Sequence, residues 1–288
     1  MLQTMLLTII AIPLVFGVAI AFLARQLPGA RRVILALLIP VCAAAVFIIL
    51  EGFPAFPPVR ALHKLPYVLV IGGLVLAVAS WRLRVQSAVI SGVATLIALG
   101  LPVWWIGKNI LASSQQKLII TVALVAIAVA GVIWFASKCK AETGVQNPVL
   151  PQAVFATSLA TSLVAILGGY MGMAMFNGAL TALFGGYLLV IYIAYLRGDR
   201  TAFALGHVSG FAFAWVAYMG LLTTAMLAPV ASSAALIATG LTLGLLPLSA
   251  HTSRLPNVPA GLRPILFGLL AAVPAIAGIL IAGVQFSG

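Results

Sequence analysis

Long apolar stretches alternate with short polar ones along the whole chain. We count ten apolar runs, at residues 2–23, 33–50, 65–81, 87–105, 118–137, 153–174, 178–196, 202–227, 231–249 and 264–285. Most of them approach the ~20 residues that an α-helix needs to cross a ~30 Å hydrocarbon core. They lack the apolar–polar alternation of outer-membrane barrel strands. The pattern therefore predicts an all-α, polytopic membrane bundle of about ten transmembrane helices.

The basic residues between the runs indicate how the chain is threaded. When the loops are numbered in order, the odd loops carry Arg25, Arg31, Arg32, Arg82, Arg84, Lys138, Lys140, Arg197, Arg200, Arg254 and Arg263. The even loops carry only Arg60, Lys64, Lys108 and Lys117. Because cytoplasmic loops are enriched in Lys and Arg, we expect the odd loops to be cytoplasmic and both termini to be extracytoplasmic.

Composition excludes a soluble protein. Of the 288 residues, 64% are hydrophobic and only 6% are charged, against about 25% charged in ordinary soluble domains. The formal net charge of +12 comes from small basic groups between apolar runs, which is typical of topology signals and not of nucleic-acid binding. We expect one integral domain over 1–288 in a bacterial inner membrane, with lipid as its partner.

Ten helices divide into two halves of five, 1–137 and 153–285. Because five is odd, the halves enter the membrane in opposite directions, as in the inverted repeats of secondary transporters. We find no residue-level similarity between the halves, and any ten-helix chain divides in this way. The sequence leaves both interpretations open.

Few residues in the sequence are suited to catalysis. The acids Glu51, Glu142 and Asp199 all map to loops or helix ends, and the histidines His63, His207 and His251 map to three different regions. A membrane enzyme needs an acid–base pair, an activated nucleophile or a metal. We therefore predict no enzyme, no metal and no cofactor. The two cysteines, Cys42 and Cys139, are not expected to pair.

One ionisable side chain, His207, falls inside an apolar run, in the stretch Ala204–Gly220. Intramembrane ionisable groups are functional-site hypotheses by default. Counted from Thr201, His207 lies about 9 Å inside the membrane. Hydroxyl groups of neighbouring runs are expected at a similar depth, so the predicted ligand-binding layer is His207, Ser209, Thr157, Thr161 and Tyr192. The alternative is that these hydroxyls bond to carbonyls of their own helices.

The segment Gly168–Gly178 adds Tyr170 and Asn177 to the candidate ligand-binding residues. Its methionines and glycines suit a flexible mouth for an apolar ligand. The interpretation that we prefer is a tight helical hairpin with glycines for close packing.

The longest outer connection, 51–64, contains three prolines and two phenylalanines. We expect this stiff, apolar loop to lie along the outer membrane surface. Its candidate functional residues are Glu51, Arg60, His63 and Lys64. We expect Glu51 to pair with Arg60 or Lys64.

Two function classes are compatible with this inventory. The first is a small permease for a neutral or amphipathic molecule, whose path runs between the two halves. The second is a non-catalytic subunit or assembly factor of a larger membrane complex, binding lipid, quinone or pigment. The length and the five-plus-five division favour the permease.

Overall fold

The computed structural model describes residues 2–82, 87–138, 149–199, 201–203, 205, 207–245, 259 and 261–287. It has one helix for each predicted apolar run. We number them α1 (Leu7–Gln26), α2 (Arg31–Glu51), α3 (Leu65–Arg82), α4 (Ala88–Ser113), α5 (Gln115–Lys138), α6 (Val149–Leu167), α7 (Met171–Leu196), α8 (His207–Leu227), α9 (Ser233–Gly244) and α10 (Arg263–Ser287). A short helix, Leu2–Leu6, leads into α1, whose first turn is a π-helix.

Within this described part, nine helices are long and apolar enough to cross a membrane. The remaining one, α9, has 12 residues, which give a length of about 18 Å. The secondary structure of the described residues is all-helical, and their long apolar helices indicate a multi-pass membrane protein. The tenth crossing stays a prediction, because residues 246–249 of that apolar run lie outside the described residues.

The helices alternate in direction, as the distribution of basic residues predicted. At one end of the bundle, Arg25 after α1 contacts Asp199 after α7. At the other end, the Lys64 ammonium before α3 donates to the carbonyl of Trp105 late in α4. We call these two ends the odd-loop face and the even-loop face. Which of them is cytoplasmic stays a prediction.

Helix α8 is the centre of the bundle. Among the described residues it packs against every long helix except α1 and α10, and 83% of its apolar stretch is buried, against 17% for α10. The Trp215 indole donates to the Ala98 carbonyl of α4 at 2.8 Å. The Tyr218 hydroxyl donates to the Leu124 carbonyl of α5 at 3.1 Å. Both side chains fasten α8 to the first half.

Close contact between α1 and α7 joins the two halves. A Cβ atom at Gly17 would collide with the Leu183 carbonyl oxygen, and one at Gly186 would collide with the Leu14 carbonyl oxygen. Small residues allow helix backbones to approach in lipid, where packing is the main driving force for association. This pair of glycines therefore sets the distance between α1 and α7.

The two halves differ in their helix contacts. In the described residues α6 packs closely against α10 of its own half, whereas its counterpart α1 packs closely against α7 of the other half. These contacts do not follow the symmetry of an inverted repeat, which stays a prediction.

The turn between α6 and α7 lies at 168–170, so the predicted boundary at 175–177 was wrong. Gly169 has φ +73°, in the left-handed region where a glycine ends a helix without strain. The Tyr170 N–H returns to the Ala165 carbonyl at 2.9 Å, which is the Schellman pattern of a helix C-terminus. The segment is the tight hairpin that we preferred, and Asn177 lies within α7.

Two other boundaries also differ from the prediction. Helix α8 begins at His207, whereas the apolar run begins at 202, because residues 201–203 form a turn. His207 is therefore the first residue of its helix and is not deep inside one. Helix α4 continues past its apolar run to Ser113, with the Lys108 ammonium 5.9 Å from the Trp104 ring centre. A helix such as α4 can continue past the hydrocarbon core because long cationic side chains extend to the membrane–water interface.

Candidate functional site

Buried polar side chains are concentrated in four helices. Among the described residues, all of them except Thr95 and Thr121 lie on α6–α9: Thr157, Ser158, Thr161, Ser162, Asn177, Thr181, Ser209, Thr223, Thr224, Thr239 and Thr242. The central helix α8 packs against the other three. A neutral polar interior therefore lies in the second half of the chain.

Several of these hydroxyls are satisfied by their own helices. Thr161 donates to the Thr157 carbonyl at 2.7 Å, and Thr223 donates to the Met219 carbonyl at 2.7 Å. Thr239 makes the same bond to Ala235. This is the usual way in which threonine is accommodated in a helix. The local interpretation is thus confirmed for Thr161, which has no free hydroxyl proton to offer a ligand.

Other buried oxygens have no hydrogen-bond partner among the described residues. They are the hydroxyls of Thr121 on α5, of Thr157 and Ser158 on α6 and of Thr242 on α9, and the amide oxygens of Gln152 on α6 and Asn177 on α7. Leaving a buried polar group unpaired costs about 1–3 kcal/mol. Such groups are candidates for hydrogen bonds to a bound solute or to water.

Asn177 connects α7 to α8 near the even-loop face. Its amide nitrogen donates to the Met173 carbonyl at 2.8 Å and to the Thr224 hydroxyl at 3.2 Å. Thr224 in turn donates to the Gly220 carbonyl at 2.8 Å. The Asn177 amide oxygen lies against Gly220, where any Cβ would collide with it. The unpaired amide oxygen of Asn177 therefore lies buried between α7 and α8.

Two residues of the predicted layer are used structurally. The Ser209 hydroxyl donates to the Arg32 carbonyl at 3.2 Å and joins α8 to α2. The Tyr192 hydroxyl donates to the Gly261 carbonyl at 3.0 Å and joins α7 to the segment before α10. The side chain of His207 lies outside the described residues. The Ser209 and Tyr192 hydroxyls thus bond to different elements, and a layer that includes His207 stays a prediction.

Glu51 contacts α7 and not the cations of its own loop. A Cβ at Gly172 would lie 2.6 Å from a carboxylate oxygen of Glu51, so the negative charge lies beside the first turn of α7. The positive end of the helix dipole favours this position. The pKa of Tyr170 is raised by burial and, secondarily, by the Glu51 charge. No ion pair of Glu51 with Arg60 or Lys64 is present among these described residues, so that prediction was wrong.

The cations of the even-loop face bind backbone carbonyls instead. Lys64 donates to Trp105 at 2.8 Å, and Lys117 donates to Met226 in the last turn of α8 at 2.8 Å. Carbonyls in the last turn of a helix lack partners within the helix, so a lysine there completes them. Arg60 is exposed and His63 is half-buried. The four predicted loop residues do not form one site.

At the odd-loop face a carboxylate orders the turn before α8. Asp199 accepts from the backbone N–H of Thr201 at 3.1 Å and from its hydroxyl at 2.7 Å. Its other oxygen lies 3.0 Å from the Arg25 guanidinium. The pKa of Asp199 is lowered, first by the Thr201 hydroxyl and to a lesser extent by Arg25. Arg31 adds a bond of 3.0 Å to the Ala202 carbonyl.

The described residues offer no group of three or more His, Cys, Asp or Glu that could hold a metal ion. An open groove of about 430 Å³ lies apart from the buried polar groups, at the even-loop ends of α5 and α9. It is lined by Gln115, Gln116, Ile119, Ile120, Ser233 and Ile237.

The predicted ligand-binding set omitted seven members of the polar interior, Thr224 and Thr242 among them. Thr224 follows Gly220 by one helical turn, and Thr242 lies between Gly240 and Gly244. Both follow the spacing of small residues that marks close helix contacts in membranes, and this signal could have identified them. No protein family model, curated protein or solved structure matches the chain. The site must therefore be interpreted from its own chemistry.

Proposed function

We propose that the protein is a small permease of a bacterial inner membrane, carrying a neutral or amphipathic small molecule. The observation that carries the proposal is the set of buried, unpaired oxygens of Thr157, Ser158, Asn177 and Thr242. A solute with hydroxyl or amide groups would supply the missing hydrogen bonds. It would recover the free energy that these oxygens lose by being buried alone.

The proposed route runs through α6–α9. Thr157 lies eight residues after Val149, the first residue of α6, or about 12 Å from the odd-loop face. Asn177 lies six residues after Met171, the first residue of α7, or about 9 Å from the even-loop face. In a ~30 Å hydrocarbon core these depths leave only about 9 Å between Thr157 and Asn177, so both oxygens lie near the middle of the membrane. This route differs from the path between the two halves that the sequence predicted.

The charge inventory supports a neutral solute. Transported ions and protons are usually handled by ionisable groups within the membrane. Glu51 and Asp199 lie at or beyond helix ends, and Glu142 lies outside the described residues. The proposed route is lined by hydroxyls and an amide, which exchange hydrogen bonds without a change in charge.

The test is solute uptake by proteoliposomes, followed by light scattering in a stopped-flow instrument with glycerol, urea and other small hydroxyl or amide compounds. The double variant Thr157→Val, Ser158→Ala removes two unpaired hydroxyls. We expect it to lose uptake while remaining folded, with its free energy of unfolding unchanged or raised by about 1 kcal/mol, because no partner is left unpaired.

The matched control is Thr161→Val, on the same helix and equally buried. Its hydroxyl is already bonded to Thr157, so the variant should lose about 1 kcal/mol of stability and keep wild-type uptake. Equal uptake in the double variant and the wild-type protein, or no uptake of any solute above empty liposomes, would contradict the proposal.

Purification in mild detergent separates this function from the accessory-subunit alternative. The permease predicts a single homogeneous species that retains uptake after reconstitution. A stoichiometric complex with other membrane proteins, and no uptake by the isolated chain, would support the subunit instead.

The proposed orientation places both termini outside the cytoplasm. Alkaline phosphatase fused after Gly288 should then be active, and green fluorescent protein fused there should be dark. An inactive phosphatase and a bright fluorescent protein would mean that the chain is threaded in the opposite direction or crosses the membrane one time fewer.

A further inference from the structure

The loop that leaves α2 exposes large apolar side chains one after another. Phe53 is 80% exposed, Phe56 is 84% exposed and Val59 is 85% exposed. These values exceed those of the lipid-facing residues on the transmembrane helices, such as Trp104 at 62%. Exposed apolar clusters of this kind mark contacts with membranes or other proteins.

This loop is held against the first turn of α3. The Tyr67 hydroxyl donates to the Pro54 carbonyl at 3.3 Å, and the rings of Phe56 and Tyr67 lie 6.2 Å apart. The Leu62–Lys64 turn that ends the loop is fixed by the bond from Lys64 to Trp105. The phenylalanines are therefore displayed from a supported backbone.

Tyr67 also shows which way the loop faces. It lies three, four and seven residues before Val70, Ile71 and Leu74, so all four share one side of α3. Val70, Ile71 and Leu74 are exposed apolar residues of a membrane-spanning helix, which identifies that side as the one in contact with lipid. Phe56, packed on Tyr67, continues the lipid-facing surface towards the even-loop face.

The neighbouring helix marks the depth of the loop. Exposed Trp104 on α4 carries the Lys108 ammonium over its ring, an arrangement typical of the membrane–water boundary. Lys64, at the end of the loop, bonds to the adjacent residue Trp105. The loop is thus tied to the level of the lipid headgroups.

We propose that residues 52–61 form an interfacial anchor that inserts Phe53 and Phe56 among the lipid headgroups of the leaflet at the even-loop face. The partner is the bilayer, because Phe56 is continuous with the lipid-facing side of α3. Arg60, which is exposed at the end of the anchor, is suited to the lipid phosphates. The inference is independent of the proposed transport.

Spin labels in phosphatidylcholine vesicles test the anchor. Phe53→Cys and Phe56→Cys are made in a background with Cys42 and Cys139 replaced by alanine, and collisions with oxygen and with a water-soluble nickel chelate are compared. Leu74→Cys serves as the lipid-facing reference. Ala112→Cys, exposed at the same face at the end of α4, serves as the aqueous reference.

We expect the oxygen-to-nickel ratio at positions 53 and 56 to exceed that at 112 several-fold and to approach that at 74. Ratios at both positions equal to that at 112 would show the loop in water, as for a surface that awaits a protein partner, and would overturn the proposal. Because the native side chains are nearly fully exposed, the cysteine variants should fold, which their elution volume in detergent checks.

Discussion

The two halves of the chain place their polar residues differently. In α1–α5, the buried polar side chains among the described residues are Thr95 and Thr121, and the cations lie at helix ends. In α6–α10, hydroxyls and an amide occupy the interior of four packed helices. The first half is thus an apolar scaffold, and the second half carries the polar interior.

Cations of the scaffold hold the second half at both faces. Arg25 pairs with Asp199, and Arg31 bonds to Ala202, in the turn that precedes α8. Lys117 bonds to Met226 in the last turn of the same helix. The first half therefore fixes both ends of the central helix through charge, while the second half supplies its polar neighbours. Basic residues of the kind that set the topology of a membrane protein thus also stabilise contacts between the two halves of this chain.

The largest expected loss of stability comes from a substitution that pushes α1 and α7 apart. Gly186→Leu forces a side chain into the α1 backbone at Leu14, so we expect a loss of about 3 kcal/mol in the free energy of unfolding. Thermal unfolding in detergent measures it. Gly283→Leu is the control, because a Cβ at that position meets no atom within 4 Å. Equal stability of the two variants would show that α1 and α7 are not in close contact.

Removing a cationic tie should have an intermediate effect. Lys117→Met leaves the Met226 carbonyl without its charged donor, and we expect a loss of about 2 kcal/mol. Lys108→Met at the same face removes only a contact with an aromatic ring, so a loss of about 0.5 kcal/mol is expected. Chemical unfolding in mixed micelles compares them. An equal loss of stability in the two variants would show that the hydrogen bond from Lys117 to the Met226 carbonyl contributes no more than the contact of Lys108 with its aromatic ring.

The smallest expected effect is the pH dependence of the Arg25–Asp199 tie. Because the pKa of Asp199 is lowered in the folded protein, its contribution is complete above the unfolded value of about 3.9. It is lost as the pH falls below that value through the folded pKa. Both side chains are 35% exposed, so salt screening limits the contribution to about 1 kcal/mol or less.

The measurement is the unfolding temperature between about pH 3 and 6, for the wild-type protein and for Asp199→Asn. The difference in stability between the two should shrink as the pH falls and as salt is added. A difference that does not vary with pH would mean that Asp199 acts through its geometry alone.

Much of the architecture follows from the sequence. Each of the ten apolar runs corresponds to a helix among the described residues, and alternating loop charges predicted that neighbouring helices run in opposite directions. Both signals are strong because lipid leaves the backbone no alternative to helix, and because charged groups must stay near water. Which face is cytoplasmic rests on the charge rule alone.

Only the tertiary structure decided which polar groups are paired. Thr157 and Thr161 look alike in the sequence, yet one hydroxyl is unpaired and the other is bonded. His207 lies inside an apolar run, but a turn before α8 makes it the first residue of that helix. Glu51 binds beside α7 and not to its own loop. Whether a run enters lipid depends on the apolar character of its own residues. Whether a side chain is hydrogen-bonded depends on which helix lies opposite it, and that is fixed only when the helices pack.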